Sequence, residues 1–369
     1  MHFFFLKCRT YAQSLWHNEY YGIPILFIPG NGGSYKQVRS LASVALVMSY
    51  TSVSGQHFNY FSIDYNEELS AFDGDKLEFQ TKYLFLSIKR ILSLYPASSN
   101  TQLILIGHSL GGVVAKGLLT KSYFKPFLER IVFLVTLATP HKSSPIVFDL
   151  KTRNFYLDVN SRFQEQRNGS LKNLNIVSIS GGSNDKLVRE DLISLGTNYE
   201  FDRSTLTTGI NDVWIGSDHL CIVWCRQLTI KLNRLFYDFI KPVLTSKPLK
   251  LISSSRIRQD IIDFHLFNRY STKKYPFLVT NDNISKEKND ETLIINKKKY
   301  EVFYSKTVKW ILHDEKRLIR INQTRIFESK NHLIPLKFRE SIVVIFEGQF
   351  KDELFSVCKA SLLNNDYVW

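Results

Sequence analysis

Gly107-His108-Ser109-Leu110-Gly111 sets a serine between two glycines, directly after an apolar run at residues 102–106 and directly before an apolar helical segment at 113–119. Strand, Gly-x-Ser-x-Gly, helix is the sequence of a nucleophile elbow. Such a turn holds the serine at a strained backbone angle. It needs the flanking glycines because a Cβ there collides with the neighbouring strand and helix. The hydroxyl then stands clear of the sheet, and the helix N-terminus lies under a developing oxyanion. The chemistry this predicts is acyl transfer through a covalent serine intermediate.

A serine nucleophile requires a base within reach and an acid to orient that base. On this kind of turn the chain order is Ser, then Asp or Glu, then His. Ser178-Ile179-Ser180-Gly181-Gly182-Ser183-Asn184-Asp185 reads as strand, glycine turn, aspartate, which makes Asp185 the favoured acid. Asp191 competes, but in a more polar, helix-like stretch. The base is expected in the loop before the last helix, where Ser217-Asp218-His219-Leu220 supplies His219. His265, His313 and His332 all lie farther on, beyond the expected end of the domain. Asp218 is better suited to capping the following helix than to orienting its own neighbour. Two backbone N–H groups must hold the oxyanion. Leu110 is expected to give one, and the loop Gly30-Asn31-Gly32-Gly33 the other, with Asn31 preferred and Gly32 second. His141, in Thr139-Pro140-His141, is expected to face the same crevice as a substrate contact, with a buried structural histidine as the competing reading. His108 is also assigned to substrate binding.

These side chains need elements to position them. Apolar runs at 23–29, 59–65, 102–106, 130–138 and 174–180 read as strands. Helical patterns fall at 35–48, 75–94, 113–119 and 221–240. Alternation of the two predicts parallel βαβ units covered on both faces, with functional residues at the carboxyl ends of the strands. The expected fold is therefore an α/β-hydrolase with a central, mostly parallel sheet. The segment around Pro242, near residues 245–255, marks a boundary. Beyond it, runs at 292–304, 307–313, 316–328 and 341–348 read as strands. The expected organisation is a lead-in over 1–21, a catalytic domain over 22–245 and a smaller β-rich unit over 255–369.

The chain of 369 residues has room for both. With 48 Lys and Arg against 34 Asp and Glu its net charge is +14, which suits an anionic lipid surface or a nucleic acid. Lys297-Lys298-Lys299 is the only tight basic run and reads as a turn between strands. No nucleic-acid signature accompanies it, so no nucleic-acid partner is expected. Cys8, Cys221, Cys225 and Cys358 are too few for a disulfide framework. Cys221 and Cys225 read as a packed pair of core thiols; no metal and no cofactor is expected. Asn168, Asn283 and Asn322 open N-glycosylation sequons. No apolar stretch reaches the length that spans a bilayer.

Several longer stretches resemble one family. They are residues 22–40 (GIPILFIPGNGGSYKQVRS), 61–69 (FSIDYNEEL), 106–118 (IGHSLGGVVAKGL), 138–141 (ATPH), 180–189 (SGGSNDKLVR) and 218–228 (DHLCIVWCRQL). Together they resemble the GPI inositol-deacylases, membrane-bound α/β-hydrolases of the endoplasmic reticulum. The resemblance implies hydrolysis of the acyl ester on the inositol of GPI anchors, at the lumenal face of that membrane, during export of GPI-anchored proteins. It implies those proteins and their lipid, and the membrane surface, as partners. The family's nucleophile, acid and base fall on Ser109, Asp185 and His219. Members of the family carry transmembrane helices ahead of the hydrolase domain and near the C-terminus, and no counterpart is expected within this sequence.

Overall fold

Residues 20, 22–51, 57–96, 100–147, 149–240 and 250–267 are described by the computed structural model, together with the backbone of four strands between residues 292 and 321. Within the first part, β1 (Ile23–Ile28), β2 (Phe58–Ser62), β3 (Leu103–His108), β4 (Ile131–Leu137), β5 (Asn175–Ser180) and β6 (Asp202–Leu206) pair in parallel. Their order in the sheet is β2-β1-β3-β4-β5-β6. The connections leave β1 toward one edge and, from β3 onward, run toward the other. The reversal lies between β1 and β3, which is where open α/β sheets place their functional crevice.

β1, β3 and β4 are almost wholly apolar because helices cover both faces. These helices are α1 (Arg39–Thr51), α2 (Gly74–Leu92), α3 (Leu110–Thr120), α4 (Leu150–Arg167), α5 (Arg226–Asp238) and α6 (Ser255–Phe267). Leu26, Leu105 and Leu134 pack with Leu77 and Ile88 of α2, Val114 and Leu118 of α3, and Phe155 and Phe163 of α4. On the opposite face Phe133 meets Phe236 of α5 edge-on at 6.2 Å and Phe239 just beyond it at 5.0 Å. Full burial of such side chains stabilises by roughly 1.5–3 kcal/mol each. The result is the α/β-hydrolase fold expected from the elbow.

Local chemistry adjusts several boundaries. The helix expected over 35–48 opens as a 3-10 turn, Tyr35–Val38, with the Ser34 hydroxyl accepting the N–H of Lys36. The helix expected over 221–240 is split into a turn, Cys221–Val223, and α5. Cys225 separates them with a non-helical backbone (φ −53°, ψ 114°).

Three elements were not anticipated: α4, β6 and α6. The edge strand β6, Asp-Arg-Ser-Thr-Leu, is pinned by a buried ion pair from Arg167 Nη2 to Asp202 at 2.7 Å. Arg167 also donates to the carbonyls of Leu171 and Leu174. α6 docks through Arg258, which is 1% exposed and donates to Asn175 Oδ1 and to the carbonyls of Asn173, Ile252 and Ser253. Arg203 of β6 pairs with Asp263 at 2.9 Å.

The chain divides into two compact units, Met1–Pro276 and Phe277–Trp369. The stretch read from the sequence as β-rich from residue 255 thus begins with a helix, α6, that belongs to the first unit. In the second unit β7 (Thr292–Ile295), β8 (Lys298–Ser305), β9 (Val308–His313) and β10 (Arg317–Ile321) form an antiparallel sheet in the order β10-β9-β8-β7. Lys298 and Lys299 open β8, opposite Ile295 and Ile294, rather than lying wholly in a turn. The strand expected at 341–348, the lead-in over 1–19, Cys8, Cys358, Asn283 and Asn322 lie outside the described residues.

Candidate active site

Ser109 follows β3 at φ 53° and ψ −129°, a region that side-chain-bearing residues seldom occupy. Holding it there costs about 1–3 kcal/mol. The strain is sustained on two sides. Ser109 N–H donates to the carbonyl of Leu137 on β4 at 2.9 Å. Gly111 is pressed onto β1, where a Cβ would meet the carbonyl oxygens of Ile28 at 2.2 Å and Pro29 at 2.6 Å. The serine is 8% exposed, and among the described residues its Oγ has no hydrogen-bond partner. No hydrogen bond joins it to His219 in this conformation.

Asp185 ends the turn after β5 and its side chain is buried. Its Oδ1 accepts the N–H groups of Leu187 and Val188, each at 2.9 Å. Its Oδ2 lies 3.0 Å from His219 Nδ1. Burial pushes this carboxyl up, but the bonds from His219, Val188 and Leu187 together outweigh it and hold the group below the usual carboxylate range. An ionised carboxylate only accepts, so Nδ1 carries the hydrogen and Nε2 is left as the basic nitrogen. Asp191 instead pairs with Arg189 on the exposed surface. Asp218 takes the capping role expected of it, accepting the N–H groups of Leu220 and Cys221.

The loop after β1 lies directly against the elbow. A Cβ on Gly30 would meet Ser109 Cβ at 2.6 Å and the His108 carbonyl at 2.8 Å, so only glycine fits. Leu110 is the first residue of α3, and its N–H has no partner one turn back. Asn31 N–H has no partner among the described residues, while the Asn31 side-chain oxygen accepts Ala71 N–H at 2.9 Å and fixes the loop. Gly32 differs: its N–H is spent on the Glu68 carbonyl at 2.9 Å, which removes it as an oxyanion donor.

The two remaining histidines are buried rather than presented to the crevice. His141 is 1% exposed, with Nε2 at 2.8 Å from Thr136 Oγ1, and burial holds its ring well below the usual imidazole range. His108 is 2% exposed, with Nε2 at 2.8 Å from the His219 carbonyl. Neither offers an atom to a substrate in this conformation. Cys221 and Cys225 are free thiols, Cys225 buried and Cys221 partly so. Among the described residues no group of acidic, histidine and cysteine side chains is arranged to hold a metal, and no helix is long and apolar enough to cross a membrane.

Sequence reasoning passed over the rim. Leu187 stands beside Asp185, Leu220 and Trp224 flank His219, Trp214 and Ile215 precede it, and Ile146 and Val147 follow β4; all are exposed. They sit on the segments that follow β4 and β5 and on the segment that carries His219. The available signal was apolar residues in segments with neither strand nor helix periodicity.

Residues 19–239 match the family described as PGAP1-like alpha/beta domain. The chain is 40% identical over 261 residues to the GPI inositol-deacylase of Mus musculus, covering 69% of this chain and 27% of that one. It is 38% identical over 235 residues to the GPI inositol-deacylase of Xenopus laevis, covering 63% and 25%. It thus spans about a quarter of the length of these curated relatives. Among solved structures, a lipase of Bacillus licheniformis overlays 58% of this chain and 92% of its own at 14% identity, with a TM-score of 0.35. The family match runs from before β1 to the end of α5, over more than half of the chain, and takes in every strand of the larger sheet; this chain belongs to the PGAP1-like alpha/beta domain family.

Proposed function

We propose that this chain is the hydrolytic unit of a GPI inositol-deacylase, a serine esterase that removes the acyl chain from the inositol of GPI anchors on newly made proteins and so aids their export. The observation that carries the reading is the 3.0 Å bond between Asp185 and His219, with the strained Ser109 just past the end of β3, two strands away along the same carboxyl edge of the sheet. The named relatives that share this stretch support the choice of substrate.

In this reading Ser109 Oγ attacks the ester carbonyl as its proton passes to His219 Nε2. Asp185 holds the imidazolium that results. The carbonyl oxygen becomes an oxyanion facing the N–H groups of Leu110 and Asn31. Collapse breaks the ester C–O bond. The inositol oxygen leaves with the proton from His219, and the acyl group stays on Ser109. Water then attacks the acyl-enzyme carbonyl as its proton passes to His219; collapse breaks the bond to Ser109 Oγ, the proton returns from His219 to that oxygen, and the fatty acid is released. The apolar rim meets the lipid at the membrane surface, and the basic surplus of the chain suits anionic headgroups. The site of action is the lumenal face of the endoplasmic reticulum membrane.

The test is phospholipase sensitivity. An acyl group on inositol blocks the hydroxyl that phosphatidylinositol-specific phospholipase C uses as its internal nucleophile. The chain, targeted to the secretory pathway with a membrane anchor attached and expressed in deacylase-deficient cells, should restore cleavage of surface GPI proteins; Ser109→Ala should not. Hydrolysis of simple esters without restoration supports a lipase of other substrates. Restoration by both forms supports a binding or escort role.

A further inference from the structure

We infer that His108, the residue just before the nucleophile, is a positioning residue that ties the loop carrying the base to the strand carrying the serine. The inference rests on the serine-esterase reading above and concerns how the two halves of that site keep their spacing.

His108 closes β3, and its ring lies 4.9 Å from the ring of His219, tilted by 44°. Its Nε2 is 2.8 Å from the main-chain carbonyl of His219. A carbonyl only accepts, so Nε2 carries the hydrogen and donates. That leaves Nδ1 bare. It is buried with no partner among the described residues. An orphaned buried acceptor costs about 1–3 kcal/mol, and a leucine would fill much of the space without it. What the imidazole supplies in exchange is a single contact, the bond to His219. Burial lowers the His108 pKa to about 4. The ring therefore stays neutral, with its donor in place, across the neutral range.

The remaining ties of the base's loop all run elsewhere. His219 Nδ1 goes to Asp185. Ser217 N–H goes to the Gly181 carbonyl at 2.8 Å. Asn184 reaches the Gly216 carbonyl at 3.2 Å. All three bind residues 216–219 to the turn after β5, so acid and base travel together. Among the described residues, the His108 bond is the hydrogen bond that joins residues 214–224 to β3. Ser109 is fixed separately, by its bond to Leu137 on β4. Without His108 the base keeps its acid but loses its reference to the nucleophile. Misplacement of reacting groups by about 1 Å is worth up to roughly 100-fold in rate.

The test uses the full chain and three variants. His108→Leu removes the donor. His108→Gln keeps an amide N–H at the reach of Nε2. His108→Asn puts its amide nearer the place of Nδ1, too short to reach His219. For each, kcat and KM are measured on p-nitrophenyl butyrate, with the rate constant of labelling by a fluorophosphonate and the melting temperature. His108→Leu and His108→Asn should lower kcat and the labelling rate about 10- to 100-fold, with KM within about twofold. His108→Gln should recover to within about threefold of wild type. If His108→Leu does not fold, Asn against Gln decides. Equal labelling by Asn, Gln and wild type, or equal loss in Asn and Gln, overturns the positioning role and leaves the esterase reading standing. A wild-type chain that takes no label brings down the esterase reading, and this role with it.

Discussion

Replacing Asp185 with asparagine exchanges one atom in a buried side chain and reverses one hydrogen bond. Oδ1 now serves two main-chain donors, Leu187 and Val188, each at 2.9 Å, and Oδ2 serves His219 at 3.0 Å. Asparagine has only one oxygen. Two fixed N–H groups claim it, so the amide NH2 turns toward His219 Nδ1. Two donors cannot face each other, and the imidazole responds by moving its hydrogen to Nε2. The nitrogen that must take the Ser109 proton then has no lone pair to offer. A trapped tautomer of this kind costs roughly 10⁴-fold in kcat in a serine triad, equivalent to about 5.4 kcal/mol of transition-state stabilisation. The fold should barely notice, because volume and both main-chain bonds are kept. Asp185→Ala, by contrast, leaves both N–H groups unpaired and should cost about 1–3 kcal/mol of stability for each. The assay is kcat on p-nitrophenyl butyrate alongside fluorophosphonate labelling and a melting curve. Asp191→Asn is the control, expected to change nothing, since that carboxylate is exposed beside Arg189. An Asp185→Asn protein that keeps more than a tenth of wild-type kcat refutes the assignment of acid and tautomer together.

Two further expectations follow from burial. Trp214 and Trp224 are 65% and 56% exposed on the rim; replacing both with Ala should lower hydrolysis of a vesicle-borne ester about tenfold, the equivalent of losing roughly 60 Å² of apolar contact, and leave p-nitrophenyl butyrate untouched, whereas an equal loss on both substrates counts against a lipid-facing rim. The His108 ring, lowered from 6.5 to about 4 by burial, takes a proton more readily unfolded than folded. Its contribution to stability is therefore complete above pH 6.5 and is lost as pH falls toward 4, by roughly 3 kcal/mol. Denaturant titrations of wild type and His108→Gln across that window should show a shallower acid slope in the variant; parallel slopes contradict the assigned burial.

β1, β3 and β4 were readable because each is a nearly continuous apolar run buried on both sides, as in residues 103–106 and 131–135. The strained turn at Ser109 and the meeting of Asp185 with His219 were expected because chain order and the positions of turns constrain them before any distance is known. β6 was not, because an edge strand of Asp, Arg, Ser, Thr and Leu carries no apolar signal; its pairing is imposed by β5 and by the Arg167–Asp202 pair. α6 was hidden by its own buried face, which includes Arg258, Gln259 and His265. The choice between Asn31 and Gly32 turned on which N–H meets the Glu68 carbonyl. The use of His108 turned on another main-chain carbonyl. Carbonyl positions are a property of the folded backbone and leave no mark on residue identity.

The Arg258 guanidinium gives the hydrolase unit a physical end that differs from the end of its family match at residue 239. Its donors reach Asn173 and Asn175 at the start of β5, the strand whose far end leads to Asp185. A gene fragment stopped after α5 strips away that cation and uncovers the buried amide of Asn175, which also bonds Ser255 and Gln259. The inherited module and the foldable piece are thus different lengths. Anyone preparing the isolated domain for crystals or for assay has reason to carry the coding sequence past Phe267.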